Sequence, residues 1–205
     1  TSAFSEDIKI GIILGFTGPI ESLTPAMAQG AEAAIAEVSA SGQLLSGSTV
    51  TAIRADSTCI DSAVASANAE KLITADKVNG IMGADCSGVT GAILANVAMA
   101  NGMVMISPSA TSPALSTAED NGLFFRTAPS DARQGAIMSN VLMDRGITSV
   151  AVSYTNNDYG KGLADVYKAA VESHGIKVTT VTAHEDGKAD YSSEVATLAS
   201  AGGDA

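Results

Sequence analysis

Three short segments of this 205-residue chain gather hydroxyl and glycine residues, a chemistry suited to a small carboxylate. They are Gly15-Phe-Thr-Gly-Pro-Ile-Glu-Ser-Leu23, Asp85-Cys-Ser-Gly-Val-Thr90 and Ser107-Pro-Ser-Ala-Thr-Ser-Pro113. Ser87 precedes a helix expected from about Val89, and Thr111 sits in a loop shaped by Pro108 and Pro113. Hydroxyls and free backbone N–H groups at helix starts are partners for a carboxylate. Such residues also serve as plain caps and turns, so the reading rests on the three segments occurring together. A fourth segment, Asn156-Asn-Asp-Tyr-Gly-Lys-Gly162, brings Tyr159 close to Tyr154. The two tyrosines suit an aromatic wall over a ligand, and equally a strand residue and a helix-start anchor.

Covalent chemistry finds fewer partners. Ala84-Asp-Cys86-Ser-Gly88 has the strand–turn–helix placement of a nucleophile elbow with Cys86 as nucleophile. A cysteine hydrolase would need a histidine beside it, and His174 and His184 both read as exposed polar residues. A dinucleotide site would need G-x-G-x-x-G, whereas Gly15-Phe-Thr-Gly18 lacks the leading glycine and Asp56 matches the ribose-binding acid weakly. Cys59 and Cys86 have no CxxC spacing, so neither a metal nor a cofactor is expected. The two cysteines fit one disulfide and an oxidising compartment, or two buried thiols. Spacing alone leaves both open.

Composition narrows the partners. Twenty-two acidic residues against 11 basic give a net charge of −11, which opposes binding to nucleic acid or to an anionic membrane surface. The longest strictly apolar run is four residues, such as 103–106, against the roughly 20 that a spanning helix needs. With 46% apolar residues the chain can bury a substantial core. Its start at Thr1, without Met or an apolar leader, suits a mature exported protein or a trimmed chain.

Positioning these residues falls to alternating strands and helices. Strands are expected at 8–15, 49–56, 78–84, 103–107 and 123–127, with helices at 26–40, 61–74 and 89–100. Thr24-Pro25 reads as an N-cap and a first-turn proline. The alternation restarts with helices at 130–145, 160–174 and 191–200 and strands at 149–155 and 176–183. The pattern is that of a parallel sheet wrapped by helices, as a first α/β lobe over 1–127 and the start of a second over 128–205. Two strands are too little sheet to stand alone, so the natural chain is expected to continue. Ligands of such sheets bind at the carboxyl ends of the strands, where the hydroxyl-rich segments lie. Residues 86–118 carry no charged side chain.

Read in order, these features resemble the type I periplasmic substrate-binding proteins of ABC transporters for branched-chain and other hydrophobic amino acids. The matching residues are Ile8-Lys-Ile-Gly with Thr17-Gly-Pro19, Gly30-Ala31, Asp56 with Cys59, and Gly83 with Cys86-Ser87. Met105-Ile-Ser-Pro-Ser-Ala-Thr-Ser-Pro113, Phe125-Arg-Thr127 and Asp158-Tyr-Gly-Lys-Gly162 complete the set.

The resemblance implies two doubly wound parallel-sheet lobes joined by a hinge, the second incomplete in this chain, closing on a ligand without catalysis. It implies a Cys59–Cys86 disulfide, a periplasmic location, an ABC permease as partner and a monomeric state. Ser87 and Thr111 match the groups that hold a ligand carboxylate by hydroxyl and backbone N–H. The Thr111 hydroxyl and Ser109 carbonyl match acceptors for its ammonium, and Ala110 belongs to the same set. Tyr159, with Tyr154, matches the second-lobe aromatic wall. Leu23 stands where branched-chain binders place an aromatic residue, which leaves room for a longer or aromatic ligand side chain. The family's acidic partner for the ammonium would lie beyond Ala205. A ligand-sensing regulatory protein of the same fold would carry the same features.

Overall fold

The computed structural model describes residues 7–44 and 47–205, which form two compact units. Unit 1 comprises the chain to Ala110 together with Glu119–Ala128, and unit 2 comprises Thr111–Ala118 and Pro129–Ala205. Segment 111–118, expected in the first lobe, therefore clusters with the second unit. The backbone N–H of Asp131 donates to the Thr111 carbonyl at 3.0 Å, and the Thr111 hydroxyl donates to the Asp131 carboxylate at 2.7 Å.

Unit 1 runs β1 (Asp7–Leu14), α1 (Thr24–Ala40), β2 (Thr49–Asp56), α2 (Ser62–Thr74), β3 (Gly80–Gly83), α3 (Ser87–Ile93), a π-helical turn (Leu94–Ala98), α4 (Met99–Asn101), β4 (Met105–Ser107) and β5 (Phe124–Arg126). Every pairing is parallel, in the order β2-β1-β3-β4-β5. The nearly continuous apolar run of β1 places it in the interior, with Ile12, Ile13 and Leu14 fully buried. Alternation along the strand divides its side chains between two faces. Ile12 and Leu14 cluster with Ala28 of α1, while Leu72 of α2 packs over Gly11. Burying each of the larger side chains contributes about 1.5–3 kcal/mol.

Several boundaries differ from the sequence expectation. Strands β3 and β4 start later because Val78 and Met103 donate their N–H groups to Leu72 and Ala98 at the preceding helix ends. Helix α3 starts at Ser87 rather than Val89, since the Cys86 carbonyl already accepts the first helical hydrogen bond from Thr90 at 3.0 Å. Thr24 is not a cap: Leu23 holds that position, and the buried Thr24 hydroxyl donates to the Gly15 carbonyl. Asp61 does cap α2, accepting from Ala63 and Val64.

Unit 2 contains a 3-10 turn (Pro113–Ser116), α5 (Asp131–Asp144), β6 (Ser149–Thr155), α6 (Asp158–Ser173), β7 (Lys177–His184) and α7 (Ser192–Ala201). Strands β6 and β7 pair in parallel with an irregularity between Val150 and Ala151. Val150, Val152, Ala164, Val171 and Ile176 form the core, with Leu142 and Tyr167 packed against it. Ser130 caps α5, Asn157 caps α6, and Gly175 follows the end of α6 at φ +76°. Asp204 and Ala205 run beside β6 on the edge away from β7, hydrogen-bonded to Ser149 and Ala151.

Candidate functional site

In unit 1 the strand order reverses between β1 and β3, the place where parallel sheets open a crevice at their carboxyl ends. The loops there are tied together by Asp85, which is 3% exposed. Its Oδ2 accepts from the Gly15 N–H at 2.8 Å, and its Oδ1 accepts from the Ser57 hydroxyl at 3.2 Å and the Cys86 N–H at 3.0 Å. One carboxylate thus holds the loops that follow β1, β2 and β3. Gly83, at φ +136°, leads into this cluster, and a Cβ there would lie 2.1 Å from the Ile13 carbonyl oxygen. Only glycine allows β1 and β3 to approach so closely.

The candidate ligand groups of unit 1 hang on this frame. Ser87 is buried as the first residue of α3, directly after Cys86. Cys86 forms a disulfide with Cys59, their Cα atoms 5.2 Å apart. The Ser109 hydroxyl donates to the Asp85 carbonyl at 3.0 Å. Ala110 is fully buried; its N–H donates to the Ser107 hydroxyl at 2.9 Å, and its carbonyl accepts from Arg126 at 3.1 Å. Leu23 is 61% exposed at the entry to α1. Nearby, Asp56 accepts from the Thr17 hydroxyl at 2.6 Å and the Thr58 N–H at 2.8 Å. Burial raises the Asp56 carboxyl, but these hydrogen bonds outweigh it and hold the group below its ordinary range.

Unit 2 places Thr111, Tyr154 and Tyr159. The Thr111 hydroxyl spends its proton on the buried Asp131, so its lone pairs face any further partner as acceptors. That suits the ammonium-accepting role expected of it better than donation to a carboxylate. Tyr154 and Tyr159 are brought together on one groove of about 290 Å³, with Tyr167, Leu163, Met138 and Gln134 among its other walls. Gly160 lets α6 start against β6, since a Cβ there would lie 2.2 Å from the Thr155 carbonyl oxygen.

The hydrolase alternative fails on its nucleophile. The Cys86 sulfur is bonded to Cys59, and a disulfide sulfur has no thiolate to offer. Both histidines lie in unit 2, where His174 pairs with Ser139 and His184 with Ser153. His184 is half-buried rather than exposed as expected. Sequence reasoning passed over Asp85 and Asp131 as functional residues. A signal for Asp85 was present: it is the last charged residue before the neutral stretch 86–118. Asp131 gave no comparable sign, because its role depends on segment 111–118 joining unit 2.

Comparison with known proteins identifies the family and the fold. The chain is 33% identical over 202 residues to a Leu/Ile/Val-binding protein homolog of Brucella melitensis, an alignment covering 98% of this chain and 54% of that protein. A branched-chain amino acid transporter substrate binding protein of Streptococcus pneumoniae, solved with isoleucine, superposes with a TM-score of 0.82 at 26% identity, over 97% of this chain and 56% of that one. A solute binding protein of R. palustris, solved with 4-hydroxybenzoate, shares the fold at a TM-score of 0.84 and 21% identity, over 97% of this chain and 52% of that one. The chain spans about half the length of the curated relatives it matches. A periplasmic binding protein family model matches residues 7–205, and the chain belongs to that family.

Proposed function

We propose that this chain is part of an extracytoplasmic solute-binding protein that hands a small amino acid or related carboxylate to an ABC permease. One observation carries the reading. Hydroxyl-rich loops converge on the strand-order reversal of a parallel sheet, and the cysteine that could have made the site catalytic is locked in a disulfide. The site binds and does not react.

In this reading Ser87 and the Ser109–Ala110 turn engage the charged end of the solute from unit 1. Thr111 accepts from its ammonium, Tyr154 and Tyr159 pack on it from unit 2, and Leu23 lines the space for its side chain. Closure of the two units on a hinge is a population shift whose extent equals the ligand's preference for the closed state. The periplasm is the matching compartment, since the disulfide needs an oxidising one.

A thermal-shift screen of the full-length protein tests this. The panel contains aliphatic and aromatic L-amino acids, their amides and their amine-free carboxylates. A ligand at about 1,000 times its dissociation constant adds roughly 4 kcal/mol, which raises the melting temperature by several degrees. No stabilisation by any member would overturn the proposal.

A further inference from the structure

An asparagine followed by glycine can react with its own backbone, because glycine has no side chain to keep its nitrogen from the neighbouring carboxamide. The chain carries three such pairs, Asn79-Gly80, Asn101-Gly102 and Asn121-Gly122, and all three asparagines are exposed. Their hydrogen bonds set them apart. The Asn79 Oδ1 accepts from the Lys9 N–H at 2.9 Å, and Gly80 is already in β3, in register with Ile10. The Asn101 Nδ2 donates to the Val97 carbonyl at 2.8 Å, and the Gly102 N–H donates to the Met99 carbonyl. The Asn121 side chain has no hydrogen-bond partner among the described residues. The Gly122 N–H donates to the Asp120 carboxylate at 2.8 Å, a side-chain acceptor and not part of a ladder, so rotation of Asp120 frees the nitrogen. Asn121 and Gly122 lie at φ +51° and +73°, and a Cβ on Gly122 would meet nothing within 4 Å, so the turn has room to rearrange.

We propose that Asn121 and Gly122 form a self-modifying site whose reaction loosens the strand behind it. The Gly122 nitrogen gives its proton to a solvent base and bonds to the Asn121 Cγ. The Cγ–Nδ2 bond breaks, and ammonia leaves with a proton returned by solvent. A succinimide ring remains. Water adds to either of its carbonyls and opens it, leaving an aspartyl or an isoaspartyl residue at position 121. Both products add a negative charge beside Glu119 and Asp120, and the isoaspartyl form also lengthens the backbone by one carbon. The turn closes through the Leu123 N–H on the Asp120 carbonyl at 2.8 Å, while the Leu123 carbonyl accepts from the Met105 N–H at 2.8 Å. A longer backbone between Asp120 and Leu123 breaks the first bond and shifts the start of β5, the strand that brings Arg126 to the Ala110 carbonyl.

Ageing of the full-length protein at mildly alkaline pH tests this. Peptide mapping by mass spectrometry follows each pair, and a protein isoaspartyl methyltransferase labels the isoaspartyl product. Peptides spanning Asn121 should convert about tenfold faster than those spanning Asn79 or Asn101, the factor set by the one net hydrogen bond that each of those side chains must first break. In urea, where the folded contacts are gone, the three pairs should convert at similar rates. Equal rates in the folded protein, or a preference for Asn121 that persists in urea, would overturn the proposal. The aged form, separated by anion exchange, should show faster hydrogen exchange at Phe124–Arg126 than fresh protein. Asn121→Ser aged alongside should keep its protection there. Unchanged exchange in the aged wild type would overturn the link to β5.

Discussion

The backbone N–H of Gly15 donates to the Asp85 carboxylate at 2.8 Å across 70 residues of sequence. That single contact joins the loop after β1 to the loop after β3, and Ser57 brings the loop after β2 onto the same carboxylate. The candidate ligand groups of unit 1 are thus held in place by the protein's own hydrogen bonds. Less ordering remains to be done when a solute arrives, and affinity gains accordingly.

The Cys59–Cys86 bridge closes a 27-residue separation. In the chain-entropy model that contributes about 3.5 kcal/mol. Urea denaturation with and without dithiothreitol should show the midpoint falling on reduction, and the Cys59→Ser/Cys86→Ser double variant should match the reduced wild type. Oxidised protein should also resist alkylation by iodoacetamide; rapid labelling of Cys86 would contradict the bridge.

Removing the Thr111 hydroxyl deprives the buried Asp131 of its side-chain donor. Thr111→Val should cost about 1–3 kcal/mol, the penalty of leaving a buried acceptor unpaired. Thr111→Ser, which keeps the hydroxyl, should recover most of it. Chemical denaturation followed by far-UV circular dichroism reads both, and equal stability of the two variants would refute the assignment.

Gly160→Ala tests the packing of α6 on β6. The added methyl would meet the Thr155 carbonyl oxygen, a backbone atom that cannot rotate away. Overpacking of this kind costs typically about 1–3 kcal/mol. Hydrogen exchange should show faster opening of the amides of unit 2 while those of β1 keep their protection.

Asp56 predicts a contribution to the acid limb of stability. Its carboxyl lies lower in the folded chain than the ordinary 3.8, because the hydrogen bonds from Thr17 and Thr58 outweigh the effect of burial. Below 3.8 the unfolded chain takes up its proton first, so this contribution is present at neutral pH and fades as pH falls through the folded value. In Asp56→Asn the stability curve should be flatter below about pH 4 than in the wild type. Parallel curves would remove Asp56 from the account.

The sheet of unit 1 was legible because β1 combines β-branched side chains with a nearly unbroken apolar run, and the starts of α2 and of α5 in unit 2 because Asp61 and Ser130 stand at their caps. Strand ends were less so: Val78 and Met103 look like strand residues, yet their N–H groups close the preceding helices. Such a choice between two acceptors is settled by tertiary geometry and leaves no trace in hydropathy. At the candidate site, Ser87, Ser109 and Thr111 could be singled out by residue type and loop position. What those hydroxyls bond to could not, because Asp85 and Asp131 act through contacts across 24 and 20 residues. Tyr167 and Met138, which share the groove of Tyr154 and Tyr159, carried only the ordinary helical pattern of core residues.

The excursion of 111–118 into unit 2, followed by the return of 119–128 to unit 1, means that the chain passes between the units three times. No single cut can separate them. A fragment ending at Ala128 would carry Leu115, 7% exposed in the intact chain, away from the unit that covers it. A fragment starting at Pro129 would leave the Asp131 carboxylate without its hydroxyl donor. Neither half is a natural module for independent expression. A clean dissection would require rejoining Ala110 to Glu119 and supplying 111–118 to the other half, a rewiring of the chain and not a truncation.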